Sequence, residues 1–82
     1  MIKHLEKEIR KYVIATLDNP TLYLKKAPGE NNYLFVKDIE IATKGMSKHM
    51  INQIMDYYYM DTGADIPLVV IPVEITYKII EE

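Results

Sequence analysis

The secondary structure of residues 2–17, IKHLEKEIRKYVIATL, determines the fold class of this 82-residue chain. Their apolar residues recur at spacings of three and four, which predicts a helix with one apolar stripe. Glu6 and Arg10 form a favourable i,i+4 pair on its charged side. Helical geometry places Ile14 among these charges, so Ile14 is a candidate contact residue. The Asn19-Pro20 pair ends the helix, because proline lacks a backbone donor.

Two strands are predicted after this helix. Residues 21–26 (TLYLKK) and 32–43 (NYLFVKDIEIAT) are rich in aromatic and β-branched residues. The segment between them, APGENN, contains a Pro-Gly turn signal, so the two strands form a β-hairpin. In the second strand Tyr33 and Phe35 share one face, and Leu34 lies on the other with Val36.

A second helix is predicted over residues 47–60, SKHMINQIMDYYYM, with Ser47 as its N-cap and Gly63 as its C-terminal stop. The angular positions of its three tyrosines differ, because successive residues are about 100° apart. Tyr58 points into the core, while Tyr59 projects outward and is a candidate contact residue. The expected core stripe is Met50, Ile51, Ile54 and Tyr58.

The last element is a strand over residues 67–80, PLVVIPVEITYKII, continuous or bent at Pro72. Two prolines cannot donate to a ladder, so part of this strand should lie at a sheet edge or bulge. The order α-β-β-α-β predicts one two-layer α+β domain over residues 1–82. It has a three-stranded antiparallel sheet in the order 2-1-3, with both helices on one face.

The other sheet face is then uncovered, and it carries an apolar patch beside a charged rim. Such a patch, together with a free strand edge, is typical of a protein-binding surface. The alternative is that the C-terminal segment folds back as a fourth strand and covers this face. The expected patch is Tyr23, Leu34, Val36, Leu68 and Val70, with Ile14 and Tyr59 as smaller second contacts.

Composition restricts the function classes. The hydrophobic fraction is 49%, the net charge is −2, and cysteine is absent, which excludes disulfides and thiolate chemistry and favours a cytoplasmic protein. No apolar run is long enough to span a membrane. Ile, Lys, Asn, Tyr, Met and Phe, whose codons are AT-rich, make up 38 of the 82 residues. This usage indicates a low-GC genome, such as that of a phage or another mobile element.

Residues 56–65, DYYYMDTGAD, contain a short match to a known motif. Residues 61–65, DTGAD, resemble the active-site motif of the retroviral-type aspartic proteases, in which two chains each donate one aspartate. In that family a flap and further sheet structure follow the motif. Here it follows a helix with 17 residues remaining, so the match is interpreted as a helix end that leads into a strand.

No other pattern indicates catalysis, a metal or a cofactor. His4 and Glu8 have metal-ligand spacing, but two ligands do not make a site. We therefore expect a non-enzymatic protein-binding module, acting as a dimer or as a stoichiometric inhibitor of a host protein. The alternative is a nucleic-acid-binding protein that uses Tyr23 and Lys25 on the sheet face. The acidic residues expected on the same face, Asp38, Glu40 and Glu74, oppose that alternative.

Overall fold

The computed structural model describes residues 5–29 and 32–79, and side chains over 9–29 and 32–76. Within these ranges the chain forms one four-stranded antiparallel sheet and one α-helix, in the strand order β3-β2-β1-β4. The predicted α+β class is confirmed, while the predicted two helices and three strands are not. The predicted order 2-1-3 is also wrong, because β1 lies between the hairpin and the last strand. The elements are β1 (Leu5–Thr16), β2 (Tyr23–Lys26), β3 (Tyr33–Val36), a 3₁₀ helix (Ile39–Ile41), α1 (Lys48–Thr62) and β4 (Leu68–Ile79).

The first element is strand β1, so the helix predicted over residues 2–17 is wrong; residues 2–4 lie outside the described ranges. β1 pairs with β4 through twelve consecutive residue pairs, from Leu5 opposite Ile79 to Thr16 opposite Leu68. Residues 13–16 are all buried. A helix stripe cannot bury four consecutive residues, whereas a strand covered on both faces can. The predicted exposure of Ile14 is also wrong, since only 1% of its surface is exposed.

Strands β1 and β2 separate after a short contact. They pair at Ala15 opposite Tyr23. Further toward the start of β1, Gly45 occupies the neighbouring position, and Tyr12 and Gly45 exchange two backbone hydrogen bonds of 2.9 Å. A Cβ on Gly45 would lie 3.0 Å from the Cβ of Ile51. Glycine at this position therefore allows α1 to approach the sheet closely.

The predicted hairpin and second helix are confirmed. β2 and β3 pair in antiparallel register across the turn. β3 ends at Val36 rather than at residue 43, because Asp38 accepts a hydrogen bond of 2.9 Å from the Glu40 backbone and begins the 3₁₀ helix. The Ser47 side chain caps α1 by accepting from a backbone N–H three residues later, and Gly63 ends α1 with a left-handed φ of 66°.

The core lies between α1 and one face of the sheet. Ile14 from β1, Leu24 from β2, and Ile51 and Tyr58 from α1 form its buried centre. Tyr58 enters the core, as its angular position on the helix predicts. The half-buried side chains that pack around this centre are Tyr12, Tyr33, Phe35, Ile54, Met55, Tyr59, Ala64, Leu68 and Val70.

β4 is one continuous strand at the sheet edge, which confirms the edge position expected from Pro72, whereas Pro67 precedes the strand. Its outer half extends beyond the body of the domain together with the first half of β1. The molecule is consequently elongated, with extents of 55 × 26 × 21 Å. We call the paired segments 5–11 and 73–79 the ribbon. Among the described residues, no helix combines the length and apolar character needed to cross a membrane.

Replacing Ile14 by alanine tests the assignment of β1. Ile14 is fully buried in the core, so Ile14→Ala should lower the free energy of unfolding by about 2–5 kcal/mol. Leu17→Ala is the matched control, because 63% of the Leu17 surface is exposed. Urea denaturation followed by circular dichroism measures both variants. Equal, small losses in the two variants would contradict the strand assignment.

Candidate protein-interaction surface

The two faces of β4 are assigned by its contacts. Leu68 and Val70 pack against the core beneath α1, so the alternate residues, including Val69 and Ile71, lie on the opposite face. The predicted location of Leu68 and Val70 on the uncovered face is therefore wrong by one residue. The segment LVVIPV is apolar at every position, so alternation alone cannot specify which side faces the helix.

The sheet face opposite α1 is called the open face. Tyr23, Leu34 and Val36 lie on it, as the hairpin pattern predicts; 48% of the Leu34 surface is exposed. β1 and β4 extend this face with a row of half-buried apolar side chains along the ribbon. The described apolar residues of the open face with some exposure are Ile9, Tyr23, Leu34, Val36, Val69, Ile71, Val73 and Ile75.

The 3₁₀ helix lies over one part of the open face and leaves a groove beside the ribbon. The groove has a volume of about 720 Å³. Lys44 is held at its wall, because its Nζ donates to the carbonyls of Glu40 (2.7 Å) and Ala42 (3.2 Å). The open face is thus partly covered by the 3₁₀ helix, whereas the C-terminal strand extends the sheet. The groove is lined by Lys11, Ile39, Glu40, Lys44, Val73, Glu74, Ile75 and Thr76.

The outer edge of β4 carries backbone groups without a partner strand among the described residues. Tyr12 directs both of its backbone groups toward Gly45, so the Tyr12–Pro72 pair is a non-hydrogen-bonded pair of the β1–β4 ladder. The backbone groups of Pro72, Glu74 and Thr76 consequently point away from β1. Pro72 contributes no donor to this edge. The row of outward backbone donors and acceptors therefore lacks a donor at Pro72 and has both groups at Glu74 and Thr76.

Tyr59 is not the free outward residue that its helix angle predicts. Its hydroxyl donates a hydrogen bond of 2.7 Å to the carbonyl of Ile66, in the segment that joins α1 to β4. Its ring lies edge-on to Tyr58 at 5.6 Å. The angular position of Tyr59 around the helix is predictable from the sequence, but the path of the α1–β4 connection over Tyr59 is not. Tyr59 therefore attaches the α1–β4 connection to the helix.

Asp61, the aspartate of the protease-like motif, is bound to the hairpin. The Tyr33 hydroxyl donates a hydrogen bond of 2.7 Å to its carboxylate. Burial, this hydrogen bond and the negative charge of Asp61 raise the pKa of Tyr33 to about 12. The Tyr33 and Phe35 rings also pack edge-on against Tyr58, at 5.2 and 5.6 Å. Asp61 thus helps to connect the end of α1 to the β-hairpin.

The sequence interpretation missed a second exposed apolar surface, on α1. Met50, which was expected in the core, is 50% exposed. Tyr57 and Met60 follow it at spacings of seven and three, the pattern of a single helix face. That spacing can be read from the sequence. It is not distinguishable there from the adjoining core stripe, because that stripe also contains a methionine, Met55. We call this surface the α1 ridge; it consists of Met50, Tyr57 and Met60, together with Met46, which precedes the N-cap of α1.

No family model, curated protein or solved structure matches this chain. Its own geometry therefore carries the functional interpretation. Within the ranges that the structure describes, no group of three or more His, Asp or Glu side chains could hold a metal ion. The features available for function are the open face, the groove, the outer edge of β4 and the α1 ridge.

The Tyr33–Asp61 hydrogen bond predicts a pH dependence. A tyrosine in an unfolded chain has a pKa of about 10. The folded-state pKa is higher, so the contribution of Tyr33 to stability is complete below pH ~10 and decreases as the pH rises toward about 12. Asp61→Asn should lower the pKa of Tyr33, because it removes the negative charge.

Absorbance at 295 nm during an alkaline titration measures this shift. Subtracting the titration of Tyr33→Phe from that of the parent protein isolates Tyr33 from the other six tyrosines. An Asp61→Asn protein whose Tyr33 titrates at the same pH as in the parent would contradict the contact.

Proposed function

We propose that this domain is a protein-binding module that acts through the ribbon, using its open face and the outer edge of β4. The observation that carries this proposal is the row of half-exposed apolar side chains at Ile9, Val73 and Ile75. An isolated two-stranded hairpin is marginally stable in water, because it leaves apolar surface exposed and backbone groups unpaired. A bound polypeptide would cover the exposed apolar surface of the ribbon and would pair its free backbone groups.

The proposed mode of binding is addition of an extended strand to β4. Glu74 and Thr76 present backbone groups outward, and a partner strand would supply the matching donors and acceptors. Alternate side chains of that strand would then extend the open face beside Val73 and Ile75. Main-chain bonds would supply affinity, and the apolar row would supply specificity for partners with matching apolar residues.

Binding without chemistry suits a stoichiometric inhibitor or an adaptor. An inhibitor of this kind acts by occupying the surface of its target, and it needs no catalytic group. Together with the AT-rich residue usage, this makes a regulator of a host protein, encoded by a phage or another mobile element, the specific form of the proposal. A protein target in the cytoplasm is the partner that this form requires.

Nucleic-acid binding remains the second candidate. Tyr23 and Lys25 share the open face, and Lys11 contributes a further positive charge at the groove. Glu40 lines the same groove and opposes part of this positive charge. Nucleic-acid affinity derives largely from unopposed Lys and Arg, and the net charge of the chain is −2. The observations therefore favour a protein partner.

Affinity capture with matched variants tests the proposed function. The tagged full-length chain is incubated with lysate from a low-GC bacterium, with and without nuclease. Ile75→Glu places a charge in the apolar row, and Met60→Glu places the same charge on the α1 ridge, where 77% of the Met60 surface is exposed.

The proposal predicts that a captured protein is retained after nuclease and by Met60→Glu, and that Ile75→Glu reduces its recovery at least about tenfold. Loss with Met60→Glu instead would move the binding site to the α1 ridge. Loss on nuclease treatment would favour the nucleic-acid alternative. Recovery unchanged in Ile75→Glu would overturn the assignment of the open face.

A further inference from the structure

We propose that the outer edge of β4 binds a second copy of this chain, with two β4 strands paired antiparallel about a two-fold axis at Thr76. This inference rests on the proposed function and names one partner for the same surface. A two-fold axis is the usual symmetry of a dimer, and it requires an edge that is complementary to itself. Three features of β4 meet that requirement and together select the register.

The first feature is Pro72. It lies at a position whose backbone N–H would point outward, and proline has none. An inter-chain ladder is therefore interrupted there. A register centred on Thr76 places the ladder over residues 74–78, beyond Pro72. Three hydrogen-bonded residue pairs, with about six backbone hydrogen bonds, then join the two strands.

The second feature is the order of charges across the ribbon. Arg10 is opposite Glu74, and their side chains form an ion pair of 3.4 Å. Glu6 is opposite Lys78 in the same register. Centring the dimer on Thr76 places Glu74 opposite position 78 of the second copy. Each of two symmetry-related rows then reads Arg, Glu, Lys, Glu across four strands, so that every neighbouring pair is opposite in charge.

The nearest alternative registers lack this complementarity. Centring the dimer on Glu74 would place two glutamates directly opposite, which is unfavourable between paired strands. Centring it on Pro72 would place two residues without donors at the middle of the ladder. Centring it on Ile75 would pair Glu74 with a threonine and include Pro72 in the ladder. Only the register centred on Thr76 pairs Glu74 with a lysine.

The third feature is the open face. In this register Ile75 is opposite position 77 of the second copy, a tyrosine, and Val73 is opposite position 79, an isoleucine. Aromatic and β-branched residues are favourable cross-strand pairs. Because the two-fold axis is perpendicular to the sheet, the open faces of both copies lie on the same side. The apolar row therefore continues across the dimer interface.

Charge reversal separates this register from other modes of association. Glu74→Lys places lysine opposite lysine in a homodimer, and Lys78→Glu places glutamate opposite glutamate. Each variant alone should dimerise at least about tenfold more weakly than the parent, since two opposed pairs change from attraction to repulsion. An equimolar mixture of the two variants restores opposite charges at both pairs. It should form a heterodimer with an affinity near that of the parent.

Sedimentation equilibrium over a concentration series measures these dissociation constants. Asp56→Lys is the matched control, because it makes the same charge change at an exposed position of α1, outside the groove, and should dimerise like the parent. Recovery in the mixture shows that both variants are folded. A parent that is monomeric throughout, or a mixture no more associated than its components, would overturn the proposal.

A single thiol provides a second measurement. The chain has no cysteine, so Thr76→Cys carries one thiol, which this register places beside its symmetry mate at a Cα separation of about 5.5 Å. Diamide oxidation should link this variant as a dimer, while Gln53→Cys, on the exposed side of α1, should remain monomeric. Equal cross-linking of the two would also overturn the proposal. Capture of a different protein through Ile75 would be unaffected by either result, so failure here is separable from failure of the proposed function.

Discussion

Pairing between the first and last strands is the interaction on which the rest of the structure depends. Its twelve residue pairs connect segments that are more than fifty residues apart at their closest approach in sequence. The pairing directs Ile14 into the core and places Leu68 and Val70 beside it, beneath α1. It also leaves Tyr12 bonded to Gly45, which brings the start of α1 against the sheet. A change of register by one residue would exchange the two faces of β4.

This pairing also produces the surface that we associate with function. Beneath α1, both faces of β1 are covered. The ribbon extends past α1, and there the apolar row is only half covered. Polar residues occupy the other side of the ribbon, where Arg10 pairs with Glu74. That exposed ion pair contributes little to stability. In the dimer that we propose, this ion pair is part of the alternating row of charges across the two β4 strands.

Strand pairing at the outer edge of β4 is limited to one segment rather than blocked along the whole strand. Long exposed edges invite uncontrolled association, and natural sheets often interrupt them with prolines or charges. Pro72 interrupts this edge near the body, and Glu74 adds a charge beyond it. Beyond Pro72 the backbone groups are complete, so an incoming strand has one defined place to pair. The same features that limit general aggregation can therefore specify a partner and its register.

The sequence predicts the parts of this fold that depend on local chemistry. Ser47 and Gly63 have the residue types that begin and end helices, and the Pro-Gly turn specifies the hairpin. Pro72, the proline within β4, correctly indicates that this strand lies at an edge. By contrast, the spacing of apolar residues in β1 fits a helix, and only its distant pairing partner makes it a strand.

The same distinction applies to the candidate site. Tyr23, Leu34 and Val36 were placed correctly on the open face, because hairpin alternation is a local pattern. Leu68 and Val70 were not, because β4 is apolar at successive positions and its orientation depends on β1. The predicted exposure of Ile14 depends on the incorrect first helix. The predicted exposure of Tyr59 omits the α1–β4 connection, which returns over it.

Residue-specific amide hydrogen exchange, followed by NMR at low protein concentration, tests the β1–β4 pairing most directly. The structure predicts slow exchange at Val69, Ile71, Val73 and Ile75, whose N–H groups face β1, and fast exchange at Glu74 and Thr76, which face outward. Alternation with this phase would establish both the pairing and the free edge. Uniform exchange along β4, or alternation with the opposite phase, would contradict the account.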